Sequence, residues 1–261
     1  MELKNIVAVV TGAGSGIGRA LAVALHQAGA KAIICADLNA DNASETARQI
    51  GAHASAVSLD VADEAAIEAL VAETLAAHQR IDLFVSNAGY GAAGGLDLPT
   101  AQWQRMMDVH MWSHLSAARA VVPVMLEQGG GYLLNTASAA GLLTQLDSAP
   151  YAVSKHAAVA FAEWLAITYG DRGIGVSVLC PQAVRTAILG DSPKEGSKRQ
   201  AAGDGILEPE QVANDCLDAI RQERFLVLPH KEVATYFQRK ANDYDRWLGG
   251  MRRFRRKLIG Q

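Results

Sequence analysis

The sequence predicts a doubly wound α/β fold, a mostly parallel sheet of seven strands with helices on both faces. Three observations carry this. Seven short β-rich runs alternate with longer stretches of helical periodicity along the 261-residue chain. The runs are nearly continuous in apolar residues, as in strands covered on both faces. A glycine cluster stands where the first strand should turn into the first helix. Half of the residues are hydrophobic and one fifth are charged, so a single domain over residues 1–261 can bury its own core.

The first run, NIVAVVT, leads into TGAGSGIGRALAVAL with Gly12, Gly14, Gly16 and Gly18 at the turn. Glycine lets the backbone turn tightly and approach a pyrophosphate, and the helix that follows offers free N–H groups and a positive dipole end. The second run, AIICAD, ends in Asp37 and Leu38. A carboxylate there can accept both ribose hydroxyls of an adenosine and repels a 2′-phosphate, which favours NAD over NADP; a plain helix-capping role is the alternative. Ser15 agrees with NAD, because no cation stands between the glycines to receive an extra phosphate, and Arg19 lies one step into the helix. The third run, SAVSLDV, brings Asp60 and Val61, and the fourth, IDLFVSN, leads to Asn87, Ala88 and Gly89. Ligands of open parallel sheets bind beyond the carboxyl ends of the strands, so these four ends should converge on one cofactor.

The fifth run, GYLLNTA, precedes Ser138, and a long apolar helix then carries Tyr151 and Lys155 four positions apart, side by side on one face. The sixth run, GVSVLC, precedes Pro181. Residues 185–207 are polar and punctuated by glycine, as a substrate lid or a plain loop would be. A helix from about Glu208 and a last strand, FLVLP, restore order.

Net charge is −3, yet residues 231–261 hold 9 basic and 3 acidic side chains, so the basic part is the C-terminal tail at 249–261. That surface is too small for general nucleic-acid affinity. Cys35, Cys180 and Cys216 show neither a disulfide nor a metal-finger spacing, which suits a reduced, cytoplasmic setting, and Cys180 reads as a small core residue. No leading basic segment followed by a long apolar run suggests a secretion signal or a membrane span. His110 and His114 are spaced like two helix-borne ligands but lack a third, so no metal is expected.

The combination of TGAGSGIG, the DV pair at 60 and 61, SNAG, Ser138 in NTASAAG, YAVSK and a modified PQAVRT resembles the short-chain dehydrogenase/reductase family in its compact single-domain branch, from Thr11 to about Thr186. That resemblance implies a Rossmann-type NAD-binding oxidoreductase. Tyr151 would be the general acid or base, Lys155 would hold the nicotinamide ribose and favour the phenolate, and Ser138 would orient the substrate oxygen. Val184 and Thr186 would meet the nicotinamide carboxamide. The expected cofactor set is Gly12, Ser15, Gly16, Ile17, Gly18, Asp37, Leu38, Asp60, Val61, Asn87, Ala88, Gly89, Tyr151, Lys155, Pro181, Val184 and Thr186. Two residues depart from the family. His110 replaces an asparagine that usually supports a proton relay, and as a group that changes charge near neutral pH it predicts an altered pH profile. Gln182 replaces a glycine and either lines the substrate pocket or faces solvent.

Leu142, Leu143, Leu146, Ile188 and Leu189 predict an apolar substrate pocket, hence a bulky alicyclic, aryl or steroid-like secondary alcohol or its ketone. A 3-hydroxyacyl-CoA or 3-oxoacyl reductase, which the basic tail would suit, and an NAD-binding sensor or scaffold with weak catalysis are the alternatives. Apolar residues on most faces of the helical stretches 102–127 and 150–169, and their role in relatives, predict a homodimer or homotetramer.

Overall fold

In a computed structural model, whose described residues are 1–189 and 200–258, the seven strands form one sheet in the order β3-β2-β1-β4-β5-β6-β7 with parallel pairing throughout. They are β1 Val7–Thr11, β2 Ala32–Asp37, β3 Ala54–Ser58, β4 Leu83–Ser86, β5 Gly131–Thr136, β6 Ile174–Leu179 and β7 Leu226–Val227. β1, β4 and β5 at the centre are buried almost without interruption, as continuous apolar runs require. β3 departs from that expectation. It is an edge strand with no buried residue, and it ends at Ser58, so that Asp60 and Val61 lie on the loop beyond it.

Helices α1 Gly16–Gln27, α2 Ala40–Ile50 and α8 Pro209–Gln222 cover one face, where Leu21, Leu25, Ile50, Val212 and Ile220 join the strand side chains Val10, Ile33 and Leu134. Helices α3 Glu64–His78, α5 Ser113–Glu127 and α7 Ala149–Tyr169 cover the other, through Ile67, Leu70, Val121, Ala158 and Leu165. Local chemistry starts several of them. Asn39 accepts from Asn42 N at 3.0 Å to open α2, Asp63 accepts from Ala66 N at 3.2 Å to open α3, and Glu208 with Gln211 forms a reciprocal capping box at α8.

The stretch expected as one helix over 102–127 divides in three. α4 Thr100–Met107 runs into a π-helical turn, Asp108–Trp112, before α5 resumes the ordinary period. The extra residue per turn re-aims His110 toward α7, where a regular helix would carry it elsewhere. The short α6 Ala140–Leu143 follows β5, and α9 Glu232–Asn242 and α10 Tyr244–Leu258 close the chain. The chain reverses winding direction between β1 and β4, so the crevice beyond their carboxyl ends is where this architecture places a ligand. Of the expected lid at 185–207, residues 190–199 lie outside the described residues, as do 259–261 of the basic tail.

Candidate active site

At the carboxyl end of β1 the backbone of the glycine loop folds onto itself. Gly12 has φ +66°, and a Cβ on Gly18 would lie 2.1 Å from the carbonyl oxygen of Gly12 and 2.6 Å from the Asn87 amide nitrogen. No side chain fits there, so α1 starts hard against the strand with its first N–H groups facing the crevice. Thr11 ties the loop to β4. Its hydroxyl accepts from Asn87 N (2.9 Å) and Ala88 N (3.2 Å), while the Asn87 side chain donates to Thr11 O (3.0 Å) and accepts from Thr136 Oγ1 (3.2 Å). Asn87 thus works as a bridge among three strand ends.

Asp37 is held by two backbone donors, Gly14 N at 2.8 Å and Asn39 N at 2.9 Å. Arg19, the cation nearest the glycines in sequence, is engaged with the carbonyl of Gly14 and with Thr46 Oγ1. Asp60 is clamped by Arg105 on α4, whose Nη2 reaches both carboxylate oxygens at 2.9 Å; with the Ala62 N–H, that contact outweighs desolvation and holds its carboxyl below the usual range. The sequence carried no local signal for Arg105, which reaches Asp60 from 45 residues away.

At the opposite end of the crevice Ser138, Tyr151 and Lys155 meet. The Ser138 hydroxyl donates to Pro181 O at 3.4 Å, accepts from Ala140 N at 3.1 Å and favours the phenolate of the neighbouring Tyr151. Lys155 is buried, donates from Nζ to Thr136 O at 2.9 Å, and stands 5.8 Å from the centroid of the Tyr151 ring. Burial draws the lysine down to about 8. It also raises the phenol above its ordinary value, with Ser138 pulling the other way. The expected depression of Tyr151 by its lysine is therefore not the dominant effect in the protein alone, because desolvation of a phenolate outweighs an ammonium that faces the ring.

His110 does not line the crevice. It is fully buried behind it, accepting from Tyr90 N at Nε2 (3.1 Å) and facing Ser154 Oγ through Nδ1 (2.9 Å), so the proton sits on Nδ1. Its ring meets that of Tyr151 edge-on at 5.4 Å. Burial first, then Lys155 and His114, push it well below the ordinary histidine value. The expectation of a charge change near neutral pH is thus corrected: both nitrogens are occupied by protein, and His110 is a neutral strut. His114, one turn on, is buried with neither nitrogen partnered and is drawn down to about 3.

Every other expected site residue lines one cleft of about 830 Å3. Gly16 packs on Thr186, where a Cβ would come within 2.8 Å, and Gly89 lies against His110 and Lys155. The glycine cradle, the Asp37 carboxylate and the Lys155 ammonium share this cleft, which fits an extended dinucleotide. Of the residues expected to form the apolar wall, Leu143, Ile188 and Leu189 do so. Leu142 packs into the core without reaching the cleft, and Leu146, beyond the end of α6, is absent from the lining. Cys180 is fully buried and desolvated up to about 12, as a core residue is.

Residues 6–196 match the model of the short chain dehydrogenase family. The chain belongs to that family. It is 32% identical over 255 residues to a 1-deoxy-11-beta-hydroxypentalenate dehydrogenase of Streptomyces avermitilis, covering 95% of this chain and 93% of the relative. It is 31% identical over 192 residues to the 7alpha-hydroxysteroid dehydrogenase of Escherichia coli K12, covering 72% and 75%. A crystal structure of a short chain dehydrogenase/reductase from Burkholderia phymatum in complex with NAD superposes with a TM-score of 0.86 at 31% identity, covering 94% of this chain and 96% of that one.

For this short-chain dehydrogenase the sequence missed the supports more than the candidates. Arg105, Tyr90 and Gln200 shape the cleft from sites whose importance depends on what the fold brings against them.

Proposed function

We propose that this chain is an NAD-dependent dehydrogenase of bulky, apolar secondary alcohols and a reductase of the matching ketones. The observation that carries the reading is the convergence of Ser138, Tyr151 and Lys155 on the same cleft as Asp37 and the glycine loop. The dinucleotide, when bound, supplies or accepts the hydride. Gly12 and Gly16 would admit its pyrophosphate while Gly18 lets α1 pack on β1, Asp37 would take the adenosine ribose, and Lys155 the nicotinamide ribose.

In the reductive direction Ser138 Oγ donates a hydrogen bond to the substrate oxygen and the Tyr151 phenol gives its proton to that oxygen. A phenol kept protonated by burial is a competent acid at neutral pH. The phenolate left behind is stabilised by the adjacent Lys155 ammonium and by Ser138. Asp37 and the prior engagement of Arg19 support NAD over NADP. Leu143, Ile188 and Leu189 support an apolar substrate, as do the names of the hydroxypentalenate and hydroxysteroid dehydrogenase relatives. An acyl-CoA substrate is favoured by one observation, the ion pair of Arg255 with Asp147, which sets the basic helix α10 beside residues 144–148 at the cleft. The complete Ser138, Tyr151 and Lys155 arrangement argues against a non-catalytic sensor.

The protein is further proposed to be a cytoplasmic homodimer or homotetramer. Its free thiols are buried, no helix among the described residues is long and apolar enough to cross a membrane, and Trp112, Trp164 and Ile167 stay exposed along the edge of the π-helical turn and α7. Light scattering at micromolar concentration tests the assembly, and a monomer would refute it.

The activity is tested by titrating NADH and NADPH against protein fluorescence, then following turnover on cyclic and polycyclic ketones, their alcohols and acetoacetyl-CoA. Tyr151→Phe should lower kcat by ~10²–10⁴-fold with NADH affinity kept. Unchanged turnover in Tyr151→Phe would remove the acid–base role, and preference for NADPH would remove the reading of Asp37.

A further inference from the structure

Residues 144, 145 and 148 and residues 200 and 201 line the substrate end of the cleft, and two glutamines brace the stretches they belong to, 144–148 and 200–207. Gln200 grips the first stretch at two points. Its Oε1 accepts from Leu146 N at 2.7 Å and its Nε2 donates to Thr144 O at 3.3 Å. The stretch it grips holds two non-glycine residues at positive φ, Thr144 at +76° and Asp147 at +54°. Such geometry persists in a β-branched residue only when its surroundings over-determine it.

Gln182 grips the second stretch. Its Nε2 donates to Asp204 Oδ2 at 3.0 Å, and the other oxygen of that carboxylate accepts from Tyr236 OH on α9 at 2.9 Å. Backbone bonds run alongside, from Ala183 N to Ala201 O (3.2 Å), Leu207 N to Ala183 O (3.1 Å) and Arg185 N to Leu207 O (2.9 Å). Gln182, Gln200, Ala201, Thr144 and Gln145 all face the cleft. The Gln182 Oε1 is buried without a hydrogen-bond partner among the described residues.

We propose that Gln182 and Gln200 are positioning residues that hold the outer wall of the substrate cleft in one shape, Gln182 through Asp204 and Tyr236, Gln200 through the main chain of Thr144 and Leu146. The substitution at position 182 thereby gains a purpose. A glycine there would leave Asp204, among the described residues, with the Tyr236 bond only. The inference rests on the proposed ketone reductase reading for its kinetic readout, but the brace itself is a property of the protein without substrate.

The test therefore has two arms. In the first, amide hydrogen exchange is followed in the protein without added ligand for wild type, Gln200→Ala, Gln182→Gly and Tyr236→Phe. Exchange should quicken at least tenfold at 144–148 in Gln200→Ala, and at 201–207 in Gln182→Gly and, less, in Tyr236→Phe. The central strands β1 and β4 should stay protected in each. In the second arm, KM and kcat are compared for a polycyclic ketone and for cyclohexanone. Gln200→Ala and Gln182→Gly should raise KM for the polycyclic ketone about tenfold with kcat and NADH affinity within twofold of wild type, and should change KM for cyclohexanone little. Gln200→Glu, which keeps the acceptor for Leu146 N and loses the donor to Thr144 O, should fall between.

Unchanged local exchange in Gln200→Ala and Gln182→Gly overturns the brace. Exchange that quickens everywhere, β1 and β4 included, also overturns it in favour of a general structural role. Wild type that turns over no ketone removes the proposed function, and the exchange arm then decides the brace alone. Local exchange that quickens while KM stays equal for both ketones overturns the assignment to specificity.

Discussion

The two ends of the cleft are built by different means. At the nucleotide end, the main chain of β1 and α1 approaches itself so closely that a Cβ on Gly18 would sit 2.1 Å from Gly12 O, and one carboxylate, Asp37, is aligned by backbone N–H groups. At the substrate end the wall depends on side chains reaching across the fold: Gln200 to Thr144, Gln182 to Asp204, His110 between Tyr90 N and Ser154. Backbone-to-backbone clearance leaves no room for adjustment, whereas a side-chain brace can be exchanged for another that spans the same gap. The nucleotide end should therefore answer to substitution by collapse and the substrate end by retuning.

The sharpest way to break that contrast is Gly18→Ala. The added methyl meets main chain rather than a flexible side-chain tip, so stability should fall by about 3 kcal/mol and NADH binding by ~100-fold or more. Thermal melting and fluorescence titration measure both, and normal NADH affinity would show that the cradle has slack.

The pH dependence of turnover separates the two directions of reaction. Alcohol oxidation needs the Tyr151 phenolate and ketone reduction needs the phenol. Because burial raises the phenol in the protein alone, oxidation kcat/KM should climb by about tenfold per pH unit from neutrality while the phenol stays protonated, and reduction should not. Equal slopes in stopped-flow or steady-state profiles would mean that another group moves the proton.

Acid stability probes the buried histidines of the substrate end. His114 titrates near 3 in the folded protein, far below an ordinary histidine. Between about pH 6.5 and 3 the unfolded chain then binds a proton that the folded chain refuses. Stability is full above that window and is lost as pH falls through it, by ~1.4 kcal/mol per pH unit for each such histidine. His110 adds in the same direction. His114→Leu should flatten the slope of urea-unfolding free energy between pH 7 and 5 by about one proton. An unchanged slope would place the proton uptake elsewhere.

The smallest effect is Thr144→Gly. Glycine accepts φ +76° freely, so relieving that residue should stabilise the fold by ~1 kcal/mol, seen as a modest rise in Tm. It should also weaken the dependence of loop order on Gln200. A lower Tm would mean that the threonine side chain contributes more than its backbone costs.

Much of this was legible beforehand because its signals are local. Each of the seven runs became a strand, and the glycine loop, Asp37, Asn87, Ser138, Tyr151 and Lys155 all face one cleft. Where the reading failed, distance in sequence explains the failure. His110 looked like a titratable relay because its neighbours in the chain do not reveal that Tyr90 N and Ser154 Oγ occupy both nitrogens. The π-helical turn at Asp108–Trp112 and the inward choice of Leu143 over Leu142 carry no composition signal either.

By itself the sequence determined the layered sheet, its switch point and the chemical groups available to the cleft, since apolar period, glycine placement and four-residue spacing act over a single element. Only the tertiary structure decided the electrostatic state of those groups and the shape of the substrate wall. Desolvation, orphaned nitrogens and braces between residues 20 or more positions apart exist only after packing has removed water and brought remote segments together.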